Sequence, residues 1–439
     1  MAQSIQPKRS LLPFGTAMTA STISSIGTYM TQFALVAWAW EATGSATAAG
    51  AVTVASFATA VITSTFSGAL VDRWNRRLAV ICSDAVGMLA SVALLLLHMA
   101  GTIEVWHLAV FGGLLGLIDA VKSPAYLSSV SLMVPKEHTT RANAMFQLSN
   151  TLSMTLGPAV AGLMFTRIGF TGIILMDIAT FAVVMVTVYF LNIPQPPSSG
   201  AKNSFWADVL EGFKYVWQRP SLLWMLVISA GVNVGYGTHQ GIYRPMVLAM
   251  TGDNVEFLGR ILAVYGVGAV LGGLTMVAWK GPRRRMPLHL AAWIMSTTCG
   301  FVLAPLVRIP TLWFFTGFGQ GFFGQIAVAM GYAIWQAKVS QAMQGRVFSI
   351  MRFVLQLTIP ISAFLGVTLS DKWAEPGLSA AGGAAAKTFG WLVGSGQGAG
   401  MSLVLFFAGC VAVALPIVSF FMPFARDIEN RLPDQQQSA

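Results

Sequence analysis

Unbroken apolar runs of twenty or more residues recur along the whole chain, separated by short polar interruptions. As a helix, such a run is long enough to cross the roughly 30 Å hydrocarbon core of a bilayer. Backbone groups in lipid must be satisfied internally, so a crossing segment is either a helix or a strand of a closed barrel. Barrel strands alternate with period two, and these runs do not. The pattern predicts an all-α membrane protein with twelve transmembrane helices. The first six fall near 14–39, 46–71, 78–100, 107–134, 143–166 and 169–192. The second six fall near 222–249, 257–279, 287–307, 311–337, 346–370 and 400–424.

The long polar connector begins "PQPPSSG", a linker composition. Within it Phe205, Val209, Phe213 and Val216 recur at helical spacing, predicting an amphipathic helix at the membrane surface. The expected organisation is a six-helix bundle over 1–194, a cytoplasmic linker over 195–220, a second bundle over 221–425 and a tail over 426–439. The halves echo each other. "GTYMTQ" in span 1 and "GYGTHQ" in span 7 stand at the offset that also carries "VDRWNRR" onto "WKGPRRR". "TTRANAMFQL" and "MQGRVFSIM" correspond at nearly the same offset. Matches in order point to a parallel repeat about the membrane normal.

Composition agrees. Of 439 residues, 55% are hydrophobic and 10% charged, against about 25% charged in soluble domains. The net charge of +10 raises nucleic acid as a partner, but the basic residues follow the loops. With a cytoplasmic N-terminus, the inner loops and tails take most of them, from Lys8 and Arg9 to Arg426 and Arg431. The outer loops keep only Arg167, Arg260, Arg308, Lys372 and Lys387. This bias predicts a multi-pass protein of a bacterial inner membrane with both termini cytoplasmic, its positive charge facing lipid headgroups. The first apolar run, Leu11 to Trp40, exceeds a signal-peptide core and reads as a retained span. Cys82, Cys299 and Cys410 sit inside apolar runs and suggest no disulfide framework.

The loop "GALVDRWNRR" between spans 2 and 3 holds four charges in ten residues. It resembles the G-x-L-[AV]-D-R-x-[GN]-R-[RK] loop of the major facilitator superfamily, with Gly68, Asp72, Arg73, Arg76 and Arg77 at the matching positions. Asn75 stands where glycine is more usual, as in the drug-exporter-like branch that includes macrolide-efflux and siderophore exporters. The second copy keeps arginines but has Lys280 in place of the acid. The resemblance implies two bundles rocking about a midplane pocket, with Asp72 and the loop arginines latching the inner mouth. Arg346 and Arg352 would be second-half partners in that gate. Span 5, "NTLSMTLGPAVAG", resembles the antiporter motif through Gly157, Pro158 and Gly162, but has Ala161 and Ser153 where that motif has glycine.

Charges at membrane depth default to functional hypotheses. Asp119 and Lys122 in span 4 stand at i, i+3, where they can neutralise each other. Asp119 is the first choice for proton coupling, and Lys122 for contact with a charged substrate. Asp84 is expected to pair with cytoplasmic arginines, and Asp177 to be structural. Gln32, Asn150, Tyr236, His239, Gln240, Gln320, Gln325 and Gln356 are the remaining candidates for substrate binding. Amides among Trp38, Phe318 and Trp335 suit a bulky amphipathic ligand better than a sugar.

The sequence thus suggests a secondary active exporter of hydrophobic or amphipathic small molecules by proton antiport, acting as a monomer among membrane lipids. A lipid flippase moving lysophospholipid, or a solute importer, would use the same fold. No G-x-x-x-x-G-K-[ST] loop occurs, and no cofactor or metal is expected. An enzyme is disfavoured, since His98, His107, His138, His239 and His289 are dispersed without H-E-x-x-H.

Overall fold

The computed structural model describes residues 11–73, 75–134, 139–191, 205–279, 282, 284–379 and 384–431, with the backbone alone at some helical positions, including 65–73, 76 and 127–132. Every regular element among the described residues is a helix. In the first half these are α1 (Leu11–Thr43), α2 (Ala46–Arg73), α3 (Arg76–Met99), α4 (Val105–Met133) and α5 (Thr139–Phe190). The connector contributes α6 (Phe205–Trp217), matching the amphipathic helix expected there. The second half has α7 (Pro220–Thr251), α8 (Val255–Ala278), α9 (Arg285–Thr297), α10 (Pro310–Lys338), α11 (Gln341–Leu369), α12 (Glu375–Ser379), α13 (Ala384–Val393) and α14 (Ala399–Phe421).

Among the described residues nine stretches are long and apolar enough to cross a membrane. One of them, Leu148–Phe190, is two crossings: Gly169 adopts φ +64°, a left-handed conformation that breaks the helical path. α1 and α10, of 33 and 29 residues, also have crossing length but carry many Ser, Thr, Gly and Gln residues. Twelve crossings of an all-α membrane fold result. Phe190, Val277 and Phe421 are each about 80% exposed, as lipid-facing side chains should be.

The chain divides into two compact units. One comprises Met1–Leu35 and Ala55–Lys202; the other comprises Val36–Val54 and Asn203–Ala439. The tip of the first helical hairpin therefore belongs with the second unit. In the first unit Phe14 and Met18 of α1 bury against Val80, Tyr126, Phe146, Val184 and Val188. In the second, Leu222, Met225 and Ile228 of α7 bury against Met286, Leu290, Ile334, Trp335 and Ile350. Apolar burial does not hold helices together in lipid, so close backbone approach matters more. A Cβ on Gly268 or Gly272 of α8 would come within 2.4 Å or 2.3 Å of a carbonyl oxygen on α10, from Phe318 and Phe322 respectively. α9 runs on into a π-helical stretch, Thr298–Leu303, against which Gln320 wedges: a Cβ on Gly300 would meet the Gln320 amide carbon at 2.3 Å.

Candidate functional site

The first unit concentrates its charge at membrane depth around one lysine. Lys122 Nζ on α4 lies 2.6 Å from Asp84 Oδ1 on α3, with Asp84 fully buried and Lys122 9% exposed. This corrects two expectations. Asp84 does not pair with the cytoplasmic arginines, and the i, i+3 neighbour Asp119 is not the contact partner of Lys122. The helix turn explains it: Lys122 projects from α4 towards α3, while Asp119 is exposed and acts on Lys122 only through the field. Asp84 Oδ2 has no hydrogen-bond partner. Two carboxylates thus share one ammonium, one in contact and dry, the other open.

A second carboxylate of this unit is caged by hydroxyls. Asp177, in the second part of α5, is completely buried. Its Oδ2 accepts from Thr31 at 3.0 Å and from Ser91 at 3.1 Å, while its Oδ1 meets Thr28 Oγ1 at 3.4 Å. Gly27 lets α1 approach: a Cβ there would fall 2.5 Å from Thr180 Oγ1 and 3.0 Å from Asp177 Oδ1. The expectation of a packing carboxylate missed this cage, although "GTYMT" on α1 spells half of it.

The antiporter-like motif has a packing role. A Cβ on Gly157 would meet Tyr29 Cβ at 2.4 Å, so the glycine seats α5 against α1. Pro158 and Gly162 are buried on the same helix, and Ser153 reaches the Thr22 carbonyl at 3.3 Å. Gln32 is half-buried and Asn150 exposed.

In the second unit His239 is buried on α7, and neither ring nitrogen has a hydrogen-bond partner. It stacks on Tyr243 at 4.2 Å between centroids, with Phe301 of the π-helical stretch at 5.3 Å. The next residue, Gln240, donates from Nε2 to Tyr236 Oη, one turn back, at 3.2 Å. Gln320 is buried, whereas Gln325 and Gln356 are exposed. Asn233, not anticipated from the sequence, donates to the Leu355 carbonyl at 3.0 Å and ties α7 to α11.

Of the expected gate residues, Gly68 is described by its backbone alone, and the side chains of Asp72, Arg73 and Arg76 lie outside the described residues. Asn75 accepts from the backbone N–H groups of Arg77 and Leu78 at 3.0 and 3.3 Å, so asparagine in this loop is the N-cap of α3. Arg77 stays within its own unit, donating to the Tyr189 carbonyl and lying over the Tyr189 ring. Arg346 pairs with Glu211 of the connector helix at 2.7 Å, and Arg352 is exposed.

At the other end of the hairpin the second unit grips residues 40–50. Asp371, on the π-helical extension of α11, accepts the backbone N–H groups of Ala46 at 2.9 Å and Thr47 at 2.7 Å. The Ser45 hydroxyl donates to the same carboxylate at 2.5 Å. The first N–H groups of α2 are therefore capped by an acid more than 300 residues away. Trp40 Nε1 donates to Asp253 Oδ1 at 2.7 Å. A Cβ on Gly50 would meet Val367 Cγ1 at 2.6 Å and the Gly241 carbonyl oxygen at 3.1 Å.

Residues 17–363 match the Major Facilitator Superfamily model. Among curated proteins the chain is similar to macrolide efflux protein A of Streptococcus pyogenes, 22% identical over 371 residues, covering 82% of this chain and 90% of that protein. It is also similar to the multidrug efflux pump Tap of Mycolicibacterium fortuitum, 24% identical over 349 residues, covering 77% and 85%. Among solved structures it resembles a bacterial homolog of the human lysosomal transporter Spinster, with TM-score 0.66, 14% identity and coverage of 96% of this chain and 99% of that one. The nucleoside transporter NupG gives TM-score 0.64, 13% identity and coverage of 94% and 98%.

Proposed function

Because the chain belongs to the major facilitator superfamily, a family of multi-pass membrane transporters, we propose that it exports amphipathic or hydrophobic small molecules by proton antiport. The observation that carries this reading is the shared lysine of the first unit. Two carboxylates and one ammonium cannot all be neutralised by pairing, and Asp119 is the member left exposed. A carboxylate in that position can exchange a proton for a substrate while Asp84 keeps Lys122 charged and in place. The similarity to proteins named as macrolide and multidrug efflux pumps supports the direction and the substrate class. The half-buried Tyr236 and Gln240, with the buried imidazole of His239, are the substrate contacts on the second unit.

Alternating access needs contacts that exist in one conformer and not in the other. The charge bias of the loops supports a topology with the α1–α2 connection outside and both termini in the cytoplasm of a bacterial inner membrane. On that topology Asp371 and Asp253 fix the tip of the first hairpin on the outer side, and the loop around Asp72 is the conformational element on the inner side. α1 runs from the first unit into the second.

The test is uptake into inverted vesicles under an imposed inside-acid gradient, comparing ethidium, erythromycin, a catecholate siderophore and a lysophospholipid. Gradient-driven uptake of ethidium or erythromycin that collapses with a protonophore is expected. Movement of the lysolipid alone would favour a flippase, and uptake indifferent to the gradient would remove the antiport reading.

A further inference from the structure

We propose that Asp177 is a proton-binding site, a neutral carboxylic acid in the conformer seen here, whose proton is released when α1 leaves it. The inference rests on the proton-antiport reading and assigns that transport a second, buried carrier beyond Asp119.

The hydrogens around the carboxyl argue for the proton. Oδ2 takes two good donors, Thr31 and Ser91. Oδ1 has only Thr28 Oγ1, at 3.4 Å. That hydroxyl also lies 3.2 Å from the Ser24 carbonyl oxygen, one turn back on α1. A threonine hydroxyl has one hydrogen and cannot serve two acceptors at once. With its hydrogen on the Ser24 carbonyl, the contact to Asp177 is favourable only if Oδ1 carries a hydrogen of its own and donates. Oδ2 then behaves as the carbonyl oxygen, accepting twice, and Oδ1 as the hydroxyl. Ser24 Oγ, fully buried on the same α1 face, has no partner and stands as a further polar group for an arriving or departing proton.

Charge points the same way. A buried ionised carboxylate with no contacting cation is among the most costly groups a fold can hold at membrane depth. The neighbours of Asp177 are hydroxyls from α1 and α3. The cation whose field reaches it is Lys122 on α4, which is bound to Asp84, with Asp119 drawing on the same ammonium. Asp84, Asp119 and Asp177 therefore all draw on the field of one base, which only Asp84 contacts. A metal cation is a poorer fit than a proton, because at Gly27 the α1 backbone already crowds Oδ1 and Thr180 Oγ1.

The position gives the proton leverage. α1 is continuous from the cage at Thr28 and Thr31 to Trp40, a rise of about 14 Å at helical pitch. Its far end is held in the second unit by Asp253. Losing the proton leaves an uncompensated charge against α1, which is relieved only if the helix shifts and water enters. The same displacement pulls on the hairpin tip.

The deciding experiment is infrared difference spectroscopy of the purified protein across about pH 5 to 9, alongside gradient-driven ethidium uptake into inverted vesicles. A protonated-carboxyl C=O band should appear in the wild type and vanish in D177N. D177N should also lose gradient-driven uptake while keeping ethidium exchange across a membrane without a gradient. D177E, which preserves a titratable group if D177N folds poorly, should show a shifted band and partial coupled uptake. Three outcomes would overturn the assignment: no band attributable to position 177, full coupled uptake in D177N, or a dependence of uptake on Na+ that D177N abolishes. Should the wild type show the band but no gradient-driven uptake of any tested compound, the antiport reading fails and the proton site stands.

Discussion

Lys122 on α4 is bound to Asp84 on α3, 38 residues earlier, and not to the acid one turn away on its own helix. Removing one partner of a buried pair strands the other, a loss of roughly 3–5 kcal/mol when measured in proteins. D84N and K122M should each lower thermal stability markedly in detergent. The double variant D84N/K122M should recover part of that loss, giving a coupling energy in a double-mutant cycle. Additive losses would mean the pair is not a unit.

Asp119, being exposed, should behave in the opposite way. D119N is expected to lose less stability than D84N or K122M, since Asp119 is not the contact partner of Lys122. Gradient-driven uptake should nonetheless be lost, with counterflow retained. If D119N keeps its coupling, Asp119 carries no proton.

The architecture was legible because lipid leaves the backbone so few options. Span positions, the Phe205–Trp217 helix and the boundary near Gly169 follow from runs, spacing and breakers. Partners across helices were not legible. Nothing local tells Lys122 to choose Asp84, because the choice depends on how α4 is rotated against α3. The Asp371 cap on α2 joins positions 325 residues apart, and no periodicity reports it. The Asp177 cage was half readable, since Gly27, Thr28 and Thr31 share a helical face, but its acid comes from the far end of the unit.

Gly157 offers a test of packing against motif. The space a Cβ would need is taken by Tyr29 Cβ at 2.4 Å and the Ile26 carbonyl at 3.1 Å. G157A should force α1 and α5 apart and destabilise by about 1–3 kcal/mol, the usual range for overpacking. A thermal shift assay reads it. The Tyr29→Gly change, which removes the clashing Cβ, should restore part of the loss, whereas Tyr29→Ala keeps that atom and should not.

Asp371 removes two orphan N–H groups and places negative charge at the positive end of α2. Losing a cap and its charge–dipole contact costs on the order of 1 kcal/mol, about a fivefold change in a two-state population. D371N should therefore raise the labelling rate of a cysteine at Ala49, which is fully buried here, by a membrane-impermeant maleimide. Unchanged labelling in D371N would mean the cap does not hold the hairpin tip.

The same tip should respond to pH through Glu41, beyond the apolar part of α1. Partial burial, and after it the nearby Asp253 carboxylate, push Glu41 above the usual carboxylate range. An acid whose value is raised in one conformer favours that conformer when protonated. Its contribution is thus fully present at low pH and is lost as pH rises through the raised value. The docked hairpin should tighten on acidification in that window, because a neutral Glu41 no longer repels Asp253 while Asp253 still accepts from Trp40. Spin labels at Thr43 and Arg260 would report the docked fraction as a function of pH. E41Q, a permanent mimic of the protonated form, should stay docked and flatten the profile. An E41Q profile as steep as that of the wild type would assign the response to another group.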